Sequence, residues 1–254
     1  MKKLLIRADD LGWTEAINYG IEKTVRHGII RSVGVMPNMK AAEHGLNLLK
    51  GTGVCLGQHT NICVGRPICD PERVPSITTE DGNFKTSAAY RDAMKLGKDI
   101  VNLDEVILEI EAQYHRFREL TGEEPHYFEG HAVASPNLMK GLRIVAEKYH
   151  LPLLELNMNS PVKFGNGNLQ MCMDSMNPDY DPFESLRKAV ERNYEENTWP
   201  MFVCHPGYLD AELMRSSSFT IPRIMEVEML TSESTVQLLQ QYDVKLISYD
   251  DLMC

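Results

Sequence analysis

The run LLIRADDLGW sets two adjacent carboxylates, Asp9 and Asp10, at the end of an apolar stretch and follows them directly with Leu11 and Gly12. Two like charges at a partly desolvated strand end repel each other, so the pair costs stability unless a cation or a proton shares the site. Three imidazoles stand at comparable places: His59 closes VCLGQH, His131 closes HYFEGH and His205 follows PMFVC. One carboxylate and two imidazoles from this set, with a position left open, match the ligand count of a catalytic metal centre rather than a closed structural one. Singly, each has an ordinary reading, because a strand-end histidine commonly only hydrogen-bonds and an aspartate pair commonly caps a helix. Their shared position at the ends of apolar runs makes the set informative. His27, His44, His115 and His150 fall within or at the ends of helical patterns, where a structural role is the simpler reading. His126 opens a strand-like run and carries no assignment.

Residues so far apart in sequence can meet only if the elements that carry them line up. The chain alternates short apolar runs with longer stretches of helical period, the pattern of βα units. The strand-like runs are 4–8, 29–35, 54–58, 126–130, 151–156, 200–204 and 244–248. Between the first two, Thr14 can cap a helix that carries Ile17, Ile21 and Val25 on one face and stops at Gly28. The stretch from Leu103 to Gly122 spaces Val106, Ile110, Tyr114 and Phe117 by three or four and predicts a long helix. Further helical patterns fill KAAEHGLNLLK, NLMKGLRIVAEKYH, DPFESLRKAVERNYEEN and SESTVQLLQQY. The expected fold is α/β, a distorted (β/α) barrel of about seven strands or a closely related open layer, whose parallel strands end on one face. No repeat or low-complexity linker interrupts the series, so residues 1–254 read as one domain.

Composition narrows the partners. With 43% hydrophobic and 24% charged residues, the 254-residue chain has the balance of a globular protein with a sizeable core. Its formal net charge of -10 argues against nucleic acid or an anionic membrane as partner and suits a small neutral or cationic ligand. Cys55, Cys63, Cys69, Cys172, Cys204 and Cys254 form no CxxC pair, and the N-terminal run is too short in apolar residues for a signal peptide or span. Reduced thiols in a cytoplasmic protein are expected.

The segments ADDLG, GQHTN, PHYFEGH, CHPGYLD and PRIMEVEMLTS, in that order and joined by RPICDPERVPSITTEDGNF, resemble the YdjC-like carbohydrate deacetylase family. The resemblance spans nearly the whole chain. It implies a barrel like that of the polysaccharide deacetylases, removal of an acetyl group from an N-acetylated sugar such as a chitooligosaccharide, a divalent metal described as magnesium, and a homodimer. Position by position, Asp10 matches the metal-binding carboxylate and Asp9 the general base. His59 and His131 match metal ligands, His205 the general acid, and Arg223 an arginine that touches substrate or orients site carboxylates. The chain departs from the family's D-x-H-x-H-x-H pattern, with Glu129 in place of the aspartate and Val133 and Ser135 in place of the later histidines. Met201 stands where the family has a glutamate.

By ligand softness two imidazoles and a carboxylate suit zinc, the physical competitor of magnesium. Trp13, directly after the aspartates, offers either a stacking face for a sugar ring or plain rim packing. The segment from Val64 to Phe84 follows a ligand strand and is expected to cover the barrel mouth. There Arg66 and Arg73 either read a phosphorylated disaccharide or pair with Asp70, Glu72 and Asp81. Two other functions use similar parts. A metal-dependent sugar isomerase usually needs more carboxylates or a lysine at the strand ends, and none is found there; a non-catalytic sugar-binding protein of the same fold is the other.

Overall fold

The computed structural model describes residues 2–155 and 157–253. Its elements in chain order are β1 (Lys2–Leu11), α1 (Glu15–Arg26), β2 (Ser32–Val35), α2 (Ala42–Leu49), β3 (Cys55–Thr60), α3 (Ser87–Lys95), α4 (Leu103–Thr121), β4 (Phe128–Gly130) and α5 (Pro136–Tyr149). There follow β5 (Val162–Phe164), β6 (Gly167–Cys172), α6 (Pro182–Glu191), β7 (Thr198–Cys204), α7 (Ala211–Ser216), α8 (Ile221–Thr231), α9 (Glu233–Gln241) and β8 (Val244–Ile247). The strands form one curled sheet in the order β4-β3-β2-β1-β7-β6-β5, with β8 pairing the first half of β1 off this path. The pairings are parallel except for the β5–β6 hairpin. The expected α/β class and distorted barrel are therefore found, as a half-barrel whose terminal strands are β4 and β5.

Local chemistry explains the helix ends. Thr14 caps α1 by accepting from the Ile17 N–H, as expected, but the helix closes at Arg26, two residues before Gly28. Asn102 caps α4 at one end, and Gly122, at a φ of 78°, closes it at the other. The expected strand at 151–156 is absent from its described part, where Leu153 makes only an isolated bridge to Phe128, and Leu156 lies outside the described residues. Strand content falls instead on β5 and β6, turned at Gly165 with its φ of 51°. Their polar and glycine-rich sequence concealed them.

β1 is buried on both faces, as a central parallel strand must be. Leu4, Ile6 and Ala8 face the helical layer with Ile17 and Ile21 of α1. Leu5 faces the inside of the curl with Tyr127, Met201, Val203 and Tyr249. A third cluster, with Phe128, Ile110, Tyr114 and Leu142, joins β4 to α4 and α5 and takes in Ile77 and Phe84 of the long segment after β3. Among the described residues no helix is long and apolar enough to cross a membrane, and Cys55, Cys63, Cys69, Cys172 and Cys204 are free; Cys254 lies outside them.

Candidate active site

Successive strand residues normally face opposite ways, which would separate Asp9 from Asp10. A bulge between Ala8 and Leu11, with Asp10 in the left-handed region at a φ of 76°, re-aims the second carboxylate. Aspartate is among the few non-glycine residues that tolerate this conformation. Both carboxylates consequently reach His59: its Nε2 lies 3.4 Å from Asp10 Oδ1 and 4.0 Å from Asp9 Oδ2. His131 Nδ1 lies 3.3 Å from Asp10 Oδ1 and 2.9 Å from His59 Nε2. Asp10, His59 and His131 thus bring three ligand atoms together from the ends of β1, β3 and β4, all three side chains buried.

Asp10 Oδ1 is buried and has no hydrogen-bond partner, while Oδ2 accepts from Arg223 Nη2 at 2.7 Å. An orphaned carboxylate oxygen facing two imidazole nitrogens is the donor set a divalent cation completes. His59 Nδ1 bonds Glu129, its register partner across β3 and β4, which leaves Nε2 as the nitrogen available for a metal. Asp9, His59 and Glu129 form a second possible group. A guanidinium already serves it: Arg7 Nη2 lies 2.6 Å from Asp9 Oδ2 and 3.3 Å from Glu129 Oε1. The Asp10 group differs in that its partnerless oxygen lies 3.4 Å from a nitrogen of His59 and 3.3 Å from one of His131.

The electrostatics follow from these neighbours. Burial pushes the Asp10 carboxyl up, but Arg223 and the two imidazoles hold it well below the usual carboxylate range. Burial opposes ionisation of Asp9 too, and Arg7, then His59, hold it low. Burial pushes His131 down, yet the Cys63 thiol and Asp10 bring it up to about 9. His59 rises well above its ordinary value, because Glu129 and Asp9 outweigh its burial. His205, at the end of β7, goes the other way: burial takes it down to about 4 against the pull of Asp10 and Asp9, and its Nδ1 is buried without a partner.

Arg223 is buried and spends its donors inside the protein: Nε on Phe219 O, Nη1 on His205 O and Nη2 on Asp10. Of the two roles expected for it, orienting a carboxylate is the one the structure supports. Trp13 is buried, its Nε1 donates to Ser216, its ring meets that of His131 in a T-shaped arrangement and the Arg223 guanidinium lies 5.2 Å from its ring centre, so it packs within the site.

Four contributors were missed in the sequence. Arg7 holds the general-base candidate, and its signal was a lone cation inside an apolar strand run. Glu129 fixes His59. Glu226, one turn after Arg223, accepts from the His205 backbone N–H at 2.6 Å and from the Tyr180 hydroxyl at 2.8 Å. Gly34 of β2 leaves room where a Cβ would sit 3.0 Å from Asp9 Oδ1 and 3.2 Å from the His59 Cβ. The family departures have plain uses. Val133 joins the core, Ser135 caps α5, and Met201 Sδ accepts from the Tyr249 hydroxyl, which itself accepts from Arg7.

The long segment after β3 is tied to the rim of the sheet by Asn38 and Asn61, which donate to Val64 O, with Asn38 also reaching Arg66 O. Glu109 of α4 accepts from the backbone of Ile68 and Cys69 and holds the segment from the side. Arg66 donates to the Asp81 backbone carbonyl rather than to an acidic side chain.

With the site in view, comparison with known proteins gives it a setting. Carbohydrate deacetylase 2 of Listeria innocua is 31% identical over 264 residues, covering 98% of this chain and 98% of its own length. A solved structure described as a cellobiose-phosphate cleavage protein from Enterococcus faecalis V583 superposes with a TM-score of 0.81 at 25% identity, covering 99% of this chain and 98% of that one. An acetyl xylan esterase of carbohydrate esterase family 4 from Clostridium thermocellum shares the fold, with a TM-score of 0.54 at 11% identity over 99% of this chain and 90% of that one. The profile of the YdjC-like proteins matches residues 3–241, and the chain belongs to that family.

Proposed function

We propose that the chain is a metal-dependent carbohydrate deacetylase that removes the acetyl group from an N-acetylated sugar, a chitooligosaccharide or a related disaccharide, with or without a phosphate. The hydrolytic class follows from its family and from relatives that carry the name carbohydrate deacetylase. The observation that carries the rest is the division of labour between adjacent aspartates. Each carboxylate gives one oxygen to a guanidinium and has another without a hydrogen-bond partner, but that of Asp10 lies 3.4 Å from a nitrogen of His59 and 3.3 Å from one of His131.

A divalent ion held by Asp10, His59 and His131 would polarise the acetyl carbonyl and lower the pKa of the attacking water to about 7 in favourable cases. Asp9 is the base: Arg7 holds Oδ2 and keeps the group ionised, and Oδ1, buried without a partner, is the atom open to the water's proton. His205 passes a proton to the departing amine. Burial keeps it neutral in the free site, so that proton must first reach it: the one Asp9 takes from the attacking water balances the step, and negative charge growing on the carbonyl oxygen adds to the pull of Asp10 and Asp9 toward imidazolium. Glu226 and Arg223 hold the His205 backbone from its N–H and C=O sides. Magnesium is the ion the resemblance implies and zinc the one the imidazoles favour. A cytoplasmic homodimer remains part of the proposal.

The test is acetate release from N-acetylglucosamine oligomers and their 6-phosphates, with elemental analysis of the same preparation. Release that stops on chelation and returns with magnesium or zinc is expected. No release from any N-acetylated sugar would remove the deacetylase reading, and release from fully stripped protein would remove the metal.

A further inference from the structure

Cys55 opens β3, His126 stands two residues before β4 and Asp250 lies in the short helical turn after β8. β3 and β4 run parallel, so their first residues share the edge of the sheet opposite to His59 and His131. One ligand atom from each of the three lies within 4.8 Å of the others, and His126 Nδ1 is 2.6 Å from Asp250 Oδ1. Cys55 is buried, whereas the side chains of His126 and Asp250 are 34% and 51% exposed. The sulfur is thus at the floor of a site whose other two ligands stand at the solvent.

We propose that Cys55, His126 and Asp250 form a second cation site, at the base of the sheet, for a borderline-soft divalent ion such as zinc. Thiolate, imidazole and carboxylate are the three donor types that ion accepts, and a fourth position faces water. Without a cation the surroundings of the sulfur keep it a thiol. Burial, then the Asp250 charge, push the lone thiol up to about 12, against the opposite pull of Ser32 and of the backbone of Tyr249 and Asp250. A cation among the three turns Asp250 from an opponent of the thiolate into a co-ligand, and the thiol proton leaves to solvent as the metal–sulfur bond forms. The bound ion would tie the C-terminal turn Asp250–Leu252 to the starts of β3 and β4.

Cobalt(II) titration of the full chain tests this, because a thiolate ligand gives a near-ultraviolet charge-transfer band that the sulfur-free set Asp10, His59 and His131 cannot. The band should appear in the parent and survive in Asp10→Ala. It should be lost in Cys55→Ser and weakened in His126→Ala by more than the roughly tenfold that losing a ligand's hydrogen-bond partner alone causes. Cys63, the thiol beside His131, is the control, and Cys63→Ser should keep the band. No band in the parent, a band kept in Cys55→Ser or one lost in Cys63→Ser would overturn the site. If Cys55→Ser fails to fold, as judged by circular dichroism, the surface variant His126→Ala decides alone, and an unchanged band there refutes the proposal.

Discussion

Glu226→Gln isolates one buried charge. Glu226 is fully buried, and burial, aided by Asp10, pushes its carboxyl up to about 7 despite the stabilising contacts of Tyr180, the His205 N–H and Arg223. A folded-state value above the unfolded one means that the folded chain holds the proton longer. The full stability is present below the unfolded value, near 4.5, and is lost as pH rises toward 7. A rise from 4.5 to about 7 corresponds, at about 1.4 kcal/mol per unit, to roughly 3 kcal/mol. Glutamine keeps both hydrogen bonds, its oxygen accepting from His205 N–H and its amide donating to the Tyr180 hydroxyl, which can also accept. Only the titration is removed.

Urea unfolding of both proteins at pH 4.5 and pH 8 gives the difference between them, in which the titration of all unaltered groups cancels. The variant should gain about 3 kcal/mol on the parent between the two pH values, or on the order of 6–12 °C in Tm. Parallel stability curves would refute the reasoning, because they would mean that Glu226 is ionised at no net cost.

Arg7→Met leaves Asp9 and Glu129 buried without their guanidinium and should cost about 3–5 kcal/mol in chemical denaturation; a loss below about 1 kcal/mol would show that the pair is solvated in solution. Asp9→Asn should lower kcat by about 10²- to 10⁴-fold while metal content holds, whereas metal loss equal to that of His59→Ala would make Asp9 a ligand. In the Arg66→Ala, Arg73→Ala double variant, kcat/KM for a sugar phosphate should fall about tenfold more than for the neutral sugar, the worth of one charge-assisted contact. Equal losses would leave those arginines to the loop, where Arg66 already holds Asp81 O.

The site was legible where chemistry coincided with strand ends, since parallel order alone carries Asp10, His59 and His131 to one rim. Two aspartates on one side were not derivable from a period-2 strand, because the bulge at Ala8–Leu11 and the left-handed Asp10 break that period. Residues 151–156 misled for a different reason. A short apolar run is equally compatible with a buried strand and with a buried connection, and tertiary packing put Leu151 and Leu154 in the core without a ladder. Trp13 directly follows the motif, and the turn at Gly12, with its φ of 102°, lays it beside Arg223, an arrangement its place in the sequence does not distinguish from an open stacking face. Glu226 acts through His205 and Tyr180, which are far away in sequence, and no local spacing announces such pairs, whereas Arg7 stands only two residues before Asp9 on the same strand.

The charges of the candidate site fix a further expectation for the proposed cation. Asp9, Asp10 and Glu129 face Arg7 and Arg223, three carboxylates against two guanidiniums, which leaves one net negative charge. In the metal-free protein a proton makes good this deficit: the surroundings bring His131 up to about 9 and raise His59 well above its ordinary value, and the facing nitrogens of the two, 2.9 Å apart, have room for one hydrogen between them. That proton must leave before both nitrogens can ligate a metal. With a divalent ion in place the count becomes one net positive, which suits a neutral amide whose carbonyl oxygen is about to take on negative charge. Adding zinc at pH 7 to stripped protein in weak buffer should therefore release about one proton per ion bound at this site, and still about one in His131→Gln, where His59 remains to hold it. Cys55→Ser is the background for both measurements, so that protons from the thiol at the opposite end of the sheet do not enter the count. Zinc uptake with no proton release in either protein would show that the imidazoles are neutral beforehand and that the carboxylates there are balanced in another way.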